Sequence, residues 1–101
     1  MARRARLVWA APALDDLDDL AAAIATSNPR AAAELVDRVF TSVDRLRSFP
    51  ASGRRVPELP GSPYRELIVG PCRVFYRVEG SLVLVVHLTR GERPLRPHRL
   101  R

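Results

Sequence analysis

From Leu14 onward the chain repeats apolar positions at spacings of three and four: Leu14, Leu17, Leu20, Ala21 and Ile24. That spacing predicts one apolar stripe on an α-helix, with Asp15, Asp16, Asp18 and Asp19 on the other face. Pro12 suits the first helical position, where a missing N–H costs nothing, and Asp15 and Asp16 should favour the positive end of the helix dipole. Upstream, residues 5–9 alternate loosely and include Val8 and Trp9, which predicts a short first strand. Ser27-Asn28-Pro29 marks the sharpest boundary, with Asn28 suited to cap a second helix and Pro29 to open it. Ala32, Leu35, Val36, Val39, Phe40, Val43 and Leu46 give that helix one apolar face. Arg30, Glu34 and Arg38, four apart, are expected to pair weakly on its exposed side. Phe49-Pro50 ends the helix, because the residue before a proline resists the helical conformation. Two amphipathic helices joined by so short a turn form an antiparallel αα-hairpin.

Residues 50–63 contain four prolines, two glycines and two serines, which predicts a loop lying over a single domain. The hydrophobic period then changes from 3.6 to 2. Residues 64–69, 72–78 and 82–89 are rich in β-branched and aromatic side chains and predict three strands. Gly70-Pro71 and Glu79-Gly80 separate them, and turns this short force antiparallel pairing. The fold class that follows is α+β, order β-α-α-β-β-β: an αα-hairpin packed on a small twisted antiparallel sheet. It forms one domain over residues 1–101, with residues 90–101 basic and 94–101 its basic tail.

A two-residue loop at Glu79-Gly80 would put Arg73, Phe75 and Arg77 on one sheet face with Leu82, Leu84, Val86 and Leu88. Val74, Tyr76 and Val78 would share the other with Val83, Val85 and His87. One face should bury the helices. The other, the first by its two arginines, should take a second apolar partner such as another chain.

Composition changes this picture little and charge changes it more. Apolar residues make up 47% of the chain and charged residues 28%, ordinary for a globular protein. The net charge is +6, carried by 17 arginines with no lysine. Residues 1–50 hold seven arginines against seven carboxylates, whereas residues 51–101 hold ten against four. The surplus therefore lies wholly in the second half, chiefly on the predicted sheet and tail, an argument about partners. Arginine in place of lysine throughout reads as compositional bias.

The single cysteine, Cys72, rules out an internal disulfide or a multi-cysteine zinc site and fits a reducing compartment. Its place at the start of a strand predicts burial. The run from Leu7 to Leu14 contains Pro12 and meets Asp15 at once, unlike a secretory signal, and nothing approaches a membrane span. The expected location is the cytoplasm.

Candidate chemistry is sparse. There is no phosphate-binding glycine loop, no metal-ligand cluster, and no nucleophile beside a base; neither metal nor cofactor is expected. His87 and His98 have no carboxylate at useful spacing, and His87 reads as a structural strand residue. Arg65, Arg73, Arg77 and Arg90 lie on or at the ends of adjacent strands, so some of them should converge. Clustered guanidinium groups suit phosphate oxygens or acidic side chains. The competing reading pairs them with Glu58, Glu66, Glu79 or Glu92 on a solvated face. Nucleic acid is the weaker partner, because no aromatic platform is interleaved with the arginines.

Six segments in order resemble the RelE/ParE toxin superfamily. These are Trp9-x-x-x-Ala13-x-x-Asp16-Leu17 with Ile24-Ala25, and Asn28-Pro29-x-Ala31-Ala32. The others are Leu46-x-x-Phe49-Pro50-x-Ser52-Gly53-Arg54, Tyr64-Arg65-Glu66-Leu67, Arg73-Val74-x-Tyr76-Arg77 and Arg90-Gly91-x-Arg93. The resemblance runs from Leu7 to about Arg93. It implies the α+β fold derived above. It also implies a toxin of a type II toxin–antitoxin system, of the kind that serves plasmid stabilisation, neutralised by a cognate antitoxin that wraps it. Operator DNA would be met only through the antitoxin, and no membrane is involved.

Two activities divide that superfamily. RelE-like members cut messenger RNA in the ribosomal A site, whereas ParE-like members inhibit DNA gyrase and are not nucleases. Arg65 and Arg73 match basic positions of the RelE-like site, with Arg90 beside a third and His98 about one residue from the C-terminal tyrosine position. Leu67 and Gly91 stand where further basic residues would be, and that tyrosine is missing from the tail. The segment from Arg65 to Pro71 looks ParE-like, although Cys72 replaces the usual tyrosine. The resemblance therefore implies a gyrase-binding growth inhibitor, with target and antitoxin contacts expected at Arg73, Phe75, Arg77, Arg90 and Arg93. The alternatives are a ribosome-dependent endoribonuclease using Arg65, Arg73, Arg90 and His98, and a non-toxic antitoxin-bound scaffold.

Overall fold

The computed structural model describes residues 4–91, 95 and 97–100. Strand β1 (Arg6–Trp9) is followed by helices α1 (Ala11–Ala25) and α2 (Pro29–Asp44), the latter running into a 3₁₀ turn at Arg45–Arg47. Strands β2 (Arg54–Arg55), β3 (Tyr64–Val69), β4 (Cys72–Glu79) and β5 (Leu82–Arg90) follow, and a last 3₁₀ turn spans Pro97–Leu100. The α+β class and the helical hairpin packed on a sheet match expectation.

The helices start where local chemistry directs. Asn28 Oδ1 accepts the Ala31 N–H at 3.1 Å and caps α2. In α1 the first residue is Ala11, so Pro12 is second, and Asp15 and Asp16 lie past the first turn instead of at the dipole end. Ala13 and Leu17 bury the α1 stripe, whereas Leu14 is largely exposed. Leu35, Val39 and Val43 do the same for α2. Phe40 stays on the surface, its ring 5.0 Å from that of Trp9. The weak pairs expected around Glu34 are replaced by a long-range bond, Arg38 Nη2 donating to Gly70 O at 2.9 Å.

The sheet has five strands in the order β1-β5-β4-β3-β2. It is mixed: β1 runs parallel to β5, so the wholly antiparallel sheet expected from sequence is corrected. Strand β2 was not expected; it is a two-residue edge pair, Arg54 with Glu66 and Arg55 with Arg65, inside the proline-rich loop. The β4–β5 loop is Gly80-Ser81, with Gly80 at φ 57°, one residue later than predicted.

A bulge in β5 overturns part of the predicted face assignment. Tyr76 pairs with Val85 and Phe75 with His87, leaving Val86 as the extra residue. Below the bulge, Val74, Tyr76, Val83 and Val85 face the helices as expected. Beyond it the parity flips, so Leu88 joins the helix-side core and His87 leaves it for the Phe75 side. The helix-side core also takes in Cys72, buried as expected.

The apolar centre of the outer face is covered from within the chain. Val56 and Leu59 from the loop, and Leu95 and Leu100 from the C-terminal segment, cover Phe75 and Val86 in a second apolar cluster. The segment read as a basic tail is thus anchored by its two leucines.

Candidate binding groove

Strand alternation decides which arginines meet. On β3, Tyr64, Glu66 and Ile68 pair with Arg77, Phe75 and Arg73 and share the outer face with them. Arg65 pairs with Tyr76 and therefore lies on the opposite, helix-side parity. Arg90 pairs with Cys72, on that same parity. Only Arg73 and Arg77 share a face, where each engages its own partners, Arg73 with Glu58 and Glu66 and Arg77 with Glu79, so the expected convergence does not occur; Arg65 points to the other side of the sheet.

Arg73 is nearly buried and engaged on all sides. Its Nε and Nη2 donate to the two carboxylate oxygens of Glu66 at 2.9 and 2.8 Å. Its Nη1 and Nη2 donate to Glu58 at 2.8 Å each. Its guanidinium carbon sits 4.9 Å from the Phe75 ring centre. The Glu66 side chain has no exposure and also takes a longer contact, 3.4 Å, from Arg54 Nη2. Hydrogen bonds to Glu58 and then to Glu66 push the Arg73 pKa further above its already high range. The same bond from Arg73 holds Glu58 down at about 2, from an ordinary 4.5.

The other candidates are placed as follows. Arg65 Nη1 donates to Gly53 O at 2.9 Å. Arg77 Nε donates to Glu79 at 2.6 Å, which raises its pKa. Phe75, expected on the binding surface, is fully buried, because the loop and C-terminal segment close over it. His98 is exposed on the last 3₁₀ turn. Arg93, like Glu92, lies outside the described residues. Of the pairings offered as the competing reading, those with Glu58, Glu66 and Glu79 form.

Around Arg73 lies an open depression of about 510 Å³. Arg54, Pro57, Glu58, Ile68, Pro71 and Gly91 are among the residues that line it. Ile68 is 60% exposed there. The groove combines aliphatic walls with a guanidinium whose outer fork is filled by a loop carboxylate. Its chemistry suits an anionic group beside an apolar one. It places no nucleophile against a base, and no group of three or more His, Cys, Asp or Glu among the described residues is arranged to hold a metal.

One pair escaped the sequence reading. His87 Nδ1 lies 2.6 Å from Asp16 Oδ2, which also accepts the Leu88 N–H at 3.2 Å. Asp16 takes up the edge of β5 where β1 has ended. Their 71-residue separation gave no signal in sequence.

The family model described as the ParE toxin of the type II toxin–antitoxin system parDE matches residues 7–95. The chain is 38% identical over 90 residues to a Sinorhizobium fredii protein that carries the name toxin Y4kP, covering 83% of this chain and 88% of that one. It is 34% identical over 90 residues to toxin RelE2 of Caulobacter vibrioides, covering 88% and 98%. Among solved structures, the chromosomal ParDE system of P. aeruginosa aligns with a TM-score of 0.76 at 24% identity, over 90% of this chain and all of that one. The RelBE2 complex of Mycobacterium tuberculosis aligns at 0.59 and 19%, over 86% and 98%. At those identities the two structures speak to the fold alone.

Proposed function

Because this chain belongs to the ParE toxin family of type II toxin–antitoxin systems, within the RelE/ParE superfamily, we propose that it arrests growth by binding DNA gyrase. It acts in the cytoplasm as a binding protein and is neutralised there by a cognate antitoxin; operator DNA is met only through that antitoxin. The observation that carries this reading is the division of the arginines. Phosphodiester cleavage needs cationic groups aimed together at the developing charge, with an acid or base in reach. Here Arg65 and Arg73 alternate to opposite faces, and Arg73 is committed to Glu58 and Glu66. Leu67 and Gly91 add no charge, and no tyrosine follows Tyr76.

The test is purified full-length chain with gyrase and relaxed plasmid. Inhibited supercoiling with trapped cleavage complexes is the expected outcome; unimpaired supercoiling refutes the reading. The likeness to toxin RelE2 favours one rival, a ribosome-dependent endoribonuclease using Arg65, Arg73, Arg90 and His98. It requires A-site cuts in translated messages after induction. Arg73→Ala is a poor probe of that rival, because it breaks a buried ion pair and leaves Glu66 only the longer Arg54 contact, a loss that endangers the fold itself. Arg65→Ala, on a more accessible side chain, separates loss of chemistry from loss of fold.

A further inference from the structure

Glu58 sits in Arg73 as a ligand would. Its two oxygens meet Nη1 and Nη2 side-on, the fork by which a guanidinium takes any carboxylate. The two partners of Arg73 differ in kind. Glu66 belongs to the sheet and its side chain is fully buried, whereas Glu58 comes from the loop between β2 and β3 and is 36% exposed. A loop side chain at the solvent edge exchanges; a buried strand side chain does not.

Charge and shape define what replaces it. Arg54 and Arg73 balance Glu58 and Glu66, so withdrawal of Glu58 leaves the groove one positive charge in excess. That suits a single carboxylate. A phosphodiester chain would bring repeated negative charge toward Glu66, and no aromatic side chain lines the groove to stack a base. Pro57, Pro71 and the exposed Ile68 instead offer aliphatic contact beside the guanidinium.

We propose that Glu58 is an intramolecular plug in a peptide-binding site, displaced when an acidic side chain flanked by aliphatic residues takes the outer fork of Arg73. The identity of the partner rests on the antitoxin reading above; the plug itself is testable without it. A site that is open only part of the time binds with an affinity lowered by that fraction, so removing the plug tightens binding.

The probe is a short labelled peptide alternating glutamate and leucine, titrated by fluorescence anisotropy into the full-length chain. Glu58→Gln should bind it roughly fivefold more tightly than the unaltered protein. The glutamine counterpart of the peptide should show no such gain. Arg73→Lys added to Glu58→Gln, with its fold checked by circular dichroism, should abolish it. Equal affinity with and without Glu58, or a gain shared by the glutamine peptide, overturns the proposal. A gain for a short uridine RNA in place of the peptide also overturns it. Co-purification with the antitoxin is scored separately: its failure beside a clear peptide gain refutes the antitoxin reading and supports the plug.

Discussion

The arginines are the most conspicuous residues in the sequence, and the fate of Arg73 in the fold turns on two glutamates. Tyr64-Arg65-Glu66-Leu67 contains both kinds, but only the β3–β4 register sends Glu66 to the face of Arg73 and Arg65 away from it. Composition identified the partners without ranking them. The Arg73–Glu58 contact carries a pH signature with a definite sign. Glu58 is held below its ordinary 4.5, so the contact stabilises the fold above that value and fades as pH falls toward about 2. Melting curves of the native chain and Glu58→Gln should be separated near pH 6 and converge near pH 2; a constant gap would contradict the assignment. A second residue explains a motif. The buried Tyr76 hydroxyl accepts the Gly53 N–H and donates to Pro50 O, both at 2.8 Å. A Cβ on Gly53 would lie 2.5 Å from that hydroxyl, which accounts for Pro50-x-Ser52-Gly53 as a structural clasp. Tyr76→Phe leaves both backbone groups unpaired and should cost roughly 1–3 kcal/mol. For a domain of this size that lowers Tm by at least about 4 °C, measurable by calorimetry.

At the scale of elements, the helices were legible because their periodicity and their Asn28-Pro29 boundary are local signals. The three long strands were legible for the same reason. What was hidden is what depends on distant partners. The β5 bulge has neither glycine nor proline at Val86 to announce it; it exists because Val86 finds Phe75 and the C-terminal leucines on one side while Leu88 finds the helices on the other. The C-terminal segment was read by its charge, but Leu95 and Leu100 bind it to the sheet. Ending the chain after Gly91 would uncover Phe75 and Val86 and remove two leucines, each worth roughly 1.5–3 kcal/mol of burial. Urea denaturation of that shortened chain should show a loss of about 3 kcal/mol or more; an unchanged midpoint would mean the segment contributes nothing to the outer cluster.

Across the whole molecule, the charge excess of the second half is reduced where Arg54, Arg73 and Arg77 are each answered by a glutamate. No helix among the described residues is long and apolar enough to cross a membrane. The parallel pairing of β1 with β5 has a consequence in time. Strand β1 hydrogen-bonds to β5, made more than 70 residues later, and the helix-side core lacks Val83, Val85 and Leu88 until β5 emerges from the ribosome. Contacts so distant along the chain form late in folding. A message interrupted before β5 therefore yields a fragment with an open core, and the helices meet their full apolar partner only once both strands of this pair have been translated.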